Sequence, residues 1–176
     1  RIGFYPGCSL NGTSREYMSR LGNRKGFGID WVELKDWNCC GATAAHSMNK
    51  ELSLALPTRI LALAEKQCFQ EIVVPCASCY NRLSVAQYEL ENNEKLRMIA
   101  DGGRFALSGN SKSLECPSII EKYILDILPD KIVRPFAHQV ACYYGCLLLR
   151  PHKVLKFDRL EDPQSMDKIM SILGAN

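Results

Sequence analysis

Ile72-Val73-Val74-Pro75-Cys76-Ala77-Ser78-Cys79 joins a short apolar run to two close-spaced cysteines. A run that is apolar on both faces reads as a central strand of a parallel sheet, covered by helices on either side. Cys79 then leads into a helical pattern from Tyr80 to Glu91. The same arrangement occurs twice upstream: Ile2 to Tyr5 precedes Pro6-Gly7-Cys8, and Ile29 to Leu34 precedes Cys39-Cys40-Gly41. In an open parallel sheet such strand-to-helix junctions lie together at the carboxyl edge of the strands, where α/β folds hold their ligands. The pattern therefore predicts that Cys8, Cys39, Cys40, Cys76 and Cys79 converge on one site.

The segments between these junctions fit alternating strands and helices. Asn11 to Ser14 can cap a helix whose inward face is Tyr17, Met18 and Leu21, ended by Gly26 and Gly28. Ala44 to Lys66 is a long helical pattern interrupted at Pro57, where a new helix is expected to begin, with Ile60, Leu61, Leu63 and Ala64 facing the core. The order βαβαβα predicts an α/β fold built from Rossmann-like βαβ units on a parallel sheet.

Gly102, Gly103, Ser108, Gly109, Asn110 and Ser111 break the pattern. The chain is expected to divide into a first unit at 1–100, a linker or surface loop at 101–116, and a second, incomplete unit at 117–176. In that second unit Pro117 opens a helix through Leu128, Ile132–Val133 and His138–Tyr143 read as strands, and Pro163 to Leu173 forms a closing helix stopped by Gly174. Tyr143-Tyr144-Gly145-Cys146-Leu147-Leu148 echoes Phe4-Tyr5-Pro6-Gly7-Cys8-Ser9-Leu10, which implies two pseudo-repeats. Cys8 and Cys39 are 31 residues apart (39 minus 8), and 30 residues follow Cys146 (176 minus 146). The second repeat is thus expected to be truncated and the chain to be a piece of a longer polypeptide.

Five sulfurs exceed what a structural zinc takes, which is four ligands in close-spaced pairs, and adjacent cysteines suit a single tetrahedral ion poorly. A four-iron cluster also needs only four thiolates. The fifth sulfur would bridge two irons or act as a redox thiol beside the metal, which points to a reactive centre rather than a structural staple; a zinc-binding assembly module is the competing reading. Disulfides are disfavoured because nine cysteines in 176 residues is an odd number at a density below that of disulfide scaffolds. A reducing cytoplasm suits the chain better. No apolar run is long enough to span a membrane. The net charge of +3, with acids interleaved among dispersed Lys and Arg, leaves no electrostatic footprint for nucleic acid.

Other residues carry weaker signals. His46, six residues past Cys40, suits either a donor to the site or a helix-surface histidine. His138 and His152 lack companion ligands, Cys68 and Cys116 lie outside the motifs, and Cys142 reads as a buried strand cysteine or a member of a second site. Trp37 beside the Cys-Cys pair suits either a shield that keeps water from a metal centre or a residue that serves packing alone.

Cys8, Cys39-Cys40-Gly41 and Cys76-x-x-Cys79 resemble the cysteine-rich CCG domain. The stretch Tyr5-Pro6-Gly7-Cys8-Ser9-Leu10-Asn11-Gly12-Thr13 with Glu16-Tyr17, together with Cys40-Gly41-Ala42-Thr43-Ala44-Ala45-His46 and Pro75-Cys76-Ala77-Ser78-Cys79, resembles the B-type subunit of heterodisulfide reductase. Iron–sulfur subunits of glycolate and lactate oxidation systems are more distant relatives by the same pattern. The resemblance implies that Cys8, Cys39, Cys40, Cys76 and Cys79 ligate a noncubane four-iron, four-sulfur (4Fe-4S) cluster, and that Cys146 leads a second motif. It implies reduction of a disulfide, such as the coenzyme M–coenzyme B heterodisulfide, held between two clusters, with electrons supplied by iron–sulfur and flavin partner subunits. With only Cys146 of the second motif present, the chain by itself is expected to bind one cluster and to show little turnover.

Overall fold

The computed structural model describes residues 1–16, 27–94, 96–97 and 111–176. Four short strands, β1 (Ile2–Phe4), β2 (Trp31–Glu33), β3 (Glu71–Val73) and β4 (Lys112–Leu114), form one sheet in the order β2-β1-β3-β4. Every pairing is parallel, with Gly3 opposite Val32 and Ile72, and Val73 opposite Leu114. The expected Rossmann-like α/β class is what forms.

Strand alternation decides which side chains enter which core. Tyr5, Ile72 and Val74 point to one face, where α3 (Lys50–Lys66) contributes Ile60, Leu61 and Ala64 and α4 (Ala77–Asn92) contributes Tyr80 and Leu83. Ile2, Phe4 and Val73 point to the other, against Leu10 of α1 (Gly7–Asn11) and Ile119 of α5 (Cys116–Tyr123). Residues leaving β1 and β3 therefore turn to opposite faces. With β1 and β3 adjacent, that divergence opens a crevice at their carboxyl ends, the topological switch point of an open α/β sheet.

Three expectations need correction. The long helical pattern breaks at Asn49, not at Pro57: α2 (Ala44–Met48) ends there, and the Asn49 side chain accepts from the Leu52 amide at 2.8 Å to cap α3. Pro57 forfeits one backbone bond to Ser53 but is buried within α3, and packing carries the helix through it. Second, Lys112–Leu114, inside the stretch expected to be a linker, is the edge strand β4; its Lys112 amide donates to Gln70 O at 2.8 Å, and the Val74 amide donates to Leu114 O at 2.8 Å. Third, neither Ile132–Val133 nor His138–Tyr143 is a strand. The neighbouring backbone bonds the chain end instead, Phe136 N to Leu173 O at 2.7 Å and Asn176 N to His138 O at 3.0 Å, while Val133 stays 94% exposed.

The expected inward face of Tyr17, Met18 and Leu21, and the stop at Gly26, lie outside the described residues. Beyond β4 come α5, α6 (Leu128–Lys131), α7 (Cys146–Leu149) and α8 (Ser165–Ile172). Ile124, Leu128 and Ile169 form a satellite core between α5, α6 and α8, while Leu148, Val154 and Leu155 reach back to the main core. Asp158 organises the start of α8, its carboxylate accepting from the amides of Gln164 at 2.8 Å and Ser165 at 2.7 Å.

This packing can be probed at Gly3 and at Asp158. A Cβ on Gly3 would stand 2.7 Å from Ile72 and 2.9 Å from Phe69, so Gly3→Ala should destabilise the chain by about 1–3 kcal/mol through overpacking, read as a lower urea midpoint at an unchanged slope. Asp158 is partly desolvated, which raises its pKa, but the amides around it outweigh this and hold the carboxyl below the usual range. Because its folded pKa is depressed, its contribution is complete above the unfolded value of about 3.9 and fades as pH falls through the folded value. Asp158→Asn should remove part of the stability gap between pH 6 and pH 3 in denaturation curves, and an unaltered gap would show that the caps do not couple to folding.

Candidate metal centre

Each of the five predicted cysteines leaves the sheet at its carboxyl edge. Cys8 lies in α1 four residues after β1, Cys39 and Cys40 follow β2, and Cys76 caps the N-terminus of α4, with Cys79 in its first turn. Two sulfur pairs result, Cys8 with Cys39 at 3.7 Å and Cys40 with Cys79 at 3.2 Å. Cys8 and Cys39 are exposed, Cys76 is half-buried, and Cys40 and Cys79 are buried. The site is thus graded by burial, with two thiols at its floor, one at intermediate depth and two at its exposed rim. Among the described residues no three His, Cys, Asp or Glu side chains surround a single point suited to one ion. The first pair nevertheless has nearly the edge, about 3.8 Å, of a tetrahedron with 2.3 Å metal–sulfur bonds.

Glycine makes this approach feasible. Gly7 adopts φ +66°, and a Cβ there would stand 3.0 Å from the Cys79 sulfur. Gly41, at φ +76°, would press its Cβ to 2.8 Å from Leu56 and 2.9 Å from Ala45. Any other residue at either position would meet both a strained backbone and an occupied space.

Backbone and side-chain donors surround the sulfurs. Gly41 N–H donates to Cys39 at 3.4 Å, the Ala42 amide to Cys40, and the Ser78 and Cys79 amides to Cys76. The Cys76 thiol is held down to about 5, first by its hydrogen bond with Cys79 and, despite burial, by those amides and the Ser9 side chain. The bond with Cys79 likewise lowers Cys40, to about 7. Cys79 is driven strongly upward by Cys40, Cys76 and burial, so it retains the proton that its neighbours give up.

Five thiols with two inclined to ionise, amides aimed at sulfur, and space cleared at Gly7 form a donor set that fits an iron–sulfur cluster, whose ligands are thiolates tuned by such hydrogen bonds.

Several residues escaped the sequence reading. Tyr5, fully buried, donates its hydroxyl to Asn38 O at 2.8 Å and also bonds Cys79; burial, then the surrounding sulfurs, push its pKa far up. Trp37 meets the Tyr5 ring edge-on at 5.6 Å and packs against the main core. Arg59 clamps the Cys39–Cys40 loop from α3, donating to Asp36 O at 2.7 Å, Asp36 Oδ2 at 2.6 Å and Asn38 Oδ1 at 2.9 Å. Asp36 has φ +59°. Nothing periodic marks these residues, since they act through contacts made across long stretches of sequence.

The remaining candidates separate. Exposed His46 accepts at Nδ1 from Arg82 at 3.0 Å. Cys68 precedes β3 at the opposite edge of the sheet, whereas Cys116 follows β4 at the site's edge and packs against the same core as Cys76. Cys142 bonds Asp167. His138 lies against Phe136, ring centroids 4.7 Å apart, and His152 is exposed. Cys146 is exposed at the start of α7.

Alkylation of the metal-free protein checks the electrostatics. A thiol of pKa about 5 is ~90% thiolate already at pH 6, whereas an ordinary one near 8.5 gains about tenfold in thiolate per unit up to pH 8. Cys76 should therefore alkylate at a nearly constant rate from pH 6 to 8, resolved by peptide mass spectrometry. A tenfold rise per unit at Cys76 would contradict this assignment.

Residues 2–84 match the CCG family, described as "Cysteine-rich domain". Over 176 residues, 98% of this chain and 61% of the relative, it is 30% identical to the 8-methylmenaquinol:fumarate reductase membrane anchor subunit of Wolinella succinogenes. Over 153 residues, 84% of this chain and 51% of each relative, it is similar to the B-type subunits of two CoB-CoM heterodisulfide reductases. It is 29% identical to that of the ferredoxin/F(420)H(2)-dependent enzyme of Methanosarcina acetivorans and 28% identical to that of the ferredoxin-dependent enzyme of Methanosarcina mazei. The chain spans between half and three-fifths of the length of these relatives. Among the described residues no helix is long and apolar enough to cross a membrane. Residues 2–84 thus match the CCG cysteine-rich family, and the chain is homologous to the B-type subunit of heterodisulfide reductase.

Proposed function

We propose that this chain is part of the iron–sulfur catalytic subunit of a cytoplasmic heterodisulfide reductase-like complex, with Cys8, Cys39, Cys40, Cys76 and Cys79 as cluster ligands. The observation that carries the reading is the gathering of five thiols at the switch-point crevice, paired at 3.7 and 3.2 Å and met by backbone amides. A noncubane 4Fe-4S cluster, when bound, would supply one-electron chemistry and an iron open to a substrate sulfur.

The chain's own residues would set the terms of that chemistry. Cys40 and Cys79 are buried and would anchor the floor. Cys8 and Cys39 are exposed, so a disulfide would approach across their rim. Tyr5 and Trp37 would exclude water from the β2 side, and the amides of Gly41, Ala42, Ser78 and Cys79 would offset negative charge accumulating on sulfur. The substrate would be a disulfide such as the coenzyme M–coenzyme B heterodisulfide, and electrons would come from iron–sulfur and flavin subunits. Cys146 would lead the second motif.

The match to a fumarate reductase anchor subunit favours one other reading, in which the same centre relays electrons within a different oxidoreductase. Anaerobic reconstitution tests the shared part: about four irons per chain are expected, with loss or conversion of the cluster in Cys39→Ser and Cys40→Ser and retention in Cys68→Ser. One zinc and no iron would overturn it. Thiol release from a disulfide by the chain extended through a second Cys-Cys-Gly, but not by the present chain, separates disulfide reduction from simple relay.

A further inference from the structure

Cys146 is exposed, yet the backbone on both sides of it is tied down. Two residues before it, the Tyr144 hydroxyl accepts from the amides of Met166 at 2.7 Å and Asp167 at 3.2 Å and donates to the Asp167 carboxylate at 2.6 Å, which seats it on the first turn of α8. After it, the carbonyls of Leu147 and Arg150 lie at the end of α7, and the last turn of any helix leaves its C=O groups without intrahelical donors. Asn81 fills that need. Its Nδ2 donates to Leu147 O at 3.1 Å and to Arg150 O at 2.7 Å, bridging 66 and 69 residues of sequence.

Asn81 is 3% exposed and stands two residues beyond Cys79 on α4, so both of its side-chain donors are committed to the cysteine segment that follows. Leu155 belongs to the main core that also holds Cys40 and Cys79, and Leu148 packs against that core. Gly145, by contrast, has open space around it, with nothing within 4 Å of a Cβ placed there. The Cys146 segment is thus gripped at Tyr144, Leu147 and Arg150, with the Cys146 side chain itself left exposed. A contact needed only for packing would not require a buried carboxamide with both N–H groups committed to one short helix end, since an apolar residue of similar size fills space at lower desolvation cost.

We infer that Asn81 is a positioning residue that ties Cys146 to the helix bearing Cys79, fixing the second thiol relative to the first site. The inference rests on the proposed function, in which both cysteines serve one disulfide-reducing centre. Asn81→Asp keeps the shape, removes both donors and sets a carboxylate against two carbonyl oxygens. In the full metal-free chain, hydrogen exchange at residues 147–150 should then quicken about tenfold or more, with β1 and β3 amides unchanged. In the iron-loaded chain carrying Cys68→Ser, Cys116→Ser and Cys142→Ser, a nitroxide on Cys146 should show a single narrow distance to the reduced cluster, broadened at least twofold by Asn81→Asp.

If Asn81→Asp does not fold, Asn81→Ser, which cannot reach both carbonyls, is read in the same two ways. Unchanged exchange and an unchanged distance in a folded variant would overturn the assignment. Failure of the unmutated chain to load iron would instead count against the proposed function, and the exchange measurement would still decide the role of Asn81.

Discussion

The parallel pairing of β1 with β3 is the constraint on which the site depends. Gly3 opposite Ile72 and Phe4 opposite Val73 bring two strands distant in sequence to one level, so their carboxyl ends stop together. The chain then leaves β1 toward one face and β3 toward the other, which makes their carboxyl ends the topological switch point where open α/β sheets hold ligands. Gly3 permits the pairing because Phe69 and Ile72 occupy the volume a side chain would need. Gly7 does the same at the site itself, letting Cys79 approach the exit of β1. A shift of one residue in this pairing would exchange the two faces of β1 and send Tyr5 away from Cys79.

Around that crevice the chemistry is graded with depth. Cys79 at the floor keeps its proton, Cys40 and Cys76 beside it are inclined to lose theirs, and Cys8 and Cys39 meet solvent. Burial alone would raise every thiol. Hydrogen bonds with Cys79, together with amides from the Cys-Cys-Gly turn and from the start of α4, reverse that for Cys40 and Cys76. The same amides would answer charge on the sulfurs of a bound centre. The Arg59–Asp36–Asn38 clamp and the Tyr5–Asn38 bond hold the Cys39–Cys40 loop against α3 and β1.

How much the residues declare in advance follows from how local each signal is. The strands ending at Phe4, Glu33 and Val73, and the thiols after them, are legible because short apolar runs and Cys-Gly or Cys-x-x-Cys spacings are encoded within a few positions. β4 is hidden: Lys112-Ser113-Leu114 has no apolar run and becomes a strand only because β3 offers an open edge. The opposite error comes at His138 to Tyr143, whose residues suit a strand but find no sheet edge, and which bond the chain end at Asn176 instead. Pro57 misleads because its local penalty is real and is outweighed by burial in α3. Tyr5, Arg59 and Asn81 act across 33, 23 and 69 residues, distances at which sequence pattern carries nothing.

The central claim is that one metal centre engages all five thiols at the switch point. Thiol footprinting of the anaerobically iron-loaded chain tests it most directly: the protein is alkylated before and after chelation in acid, and each cysteine is quantified by peptide mass spectrometry. Cys8 and Cys39, although exposed in the structure, should be protected together with Cys40, Cys76 and Cys79 in the loaded chain, all five should become reactive once iron is removed, and Cys68 and Cys146 should react throughout. Free reaction of Cys8 or Cys39 in a chain that retains its full iron content would contradict it.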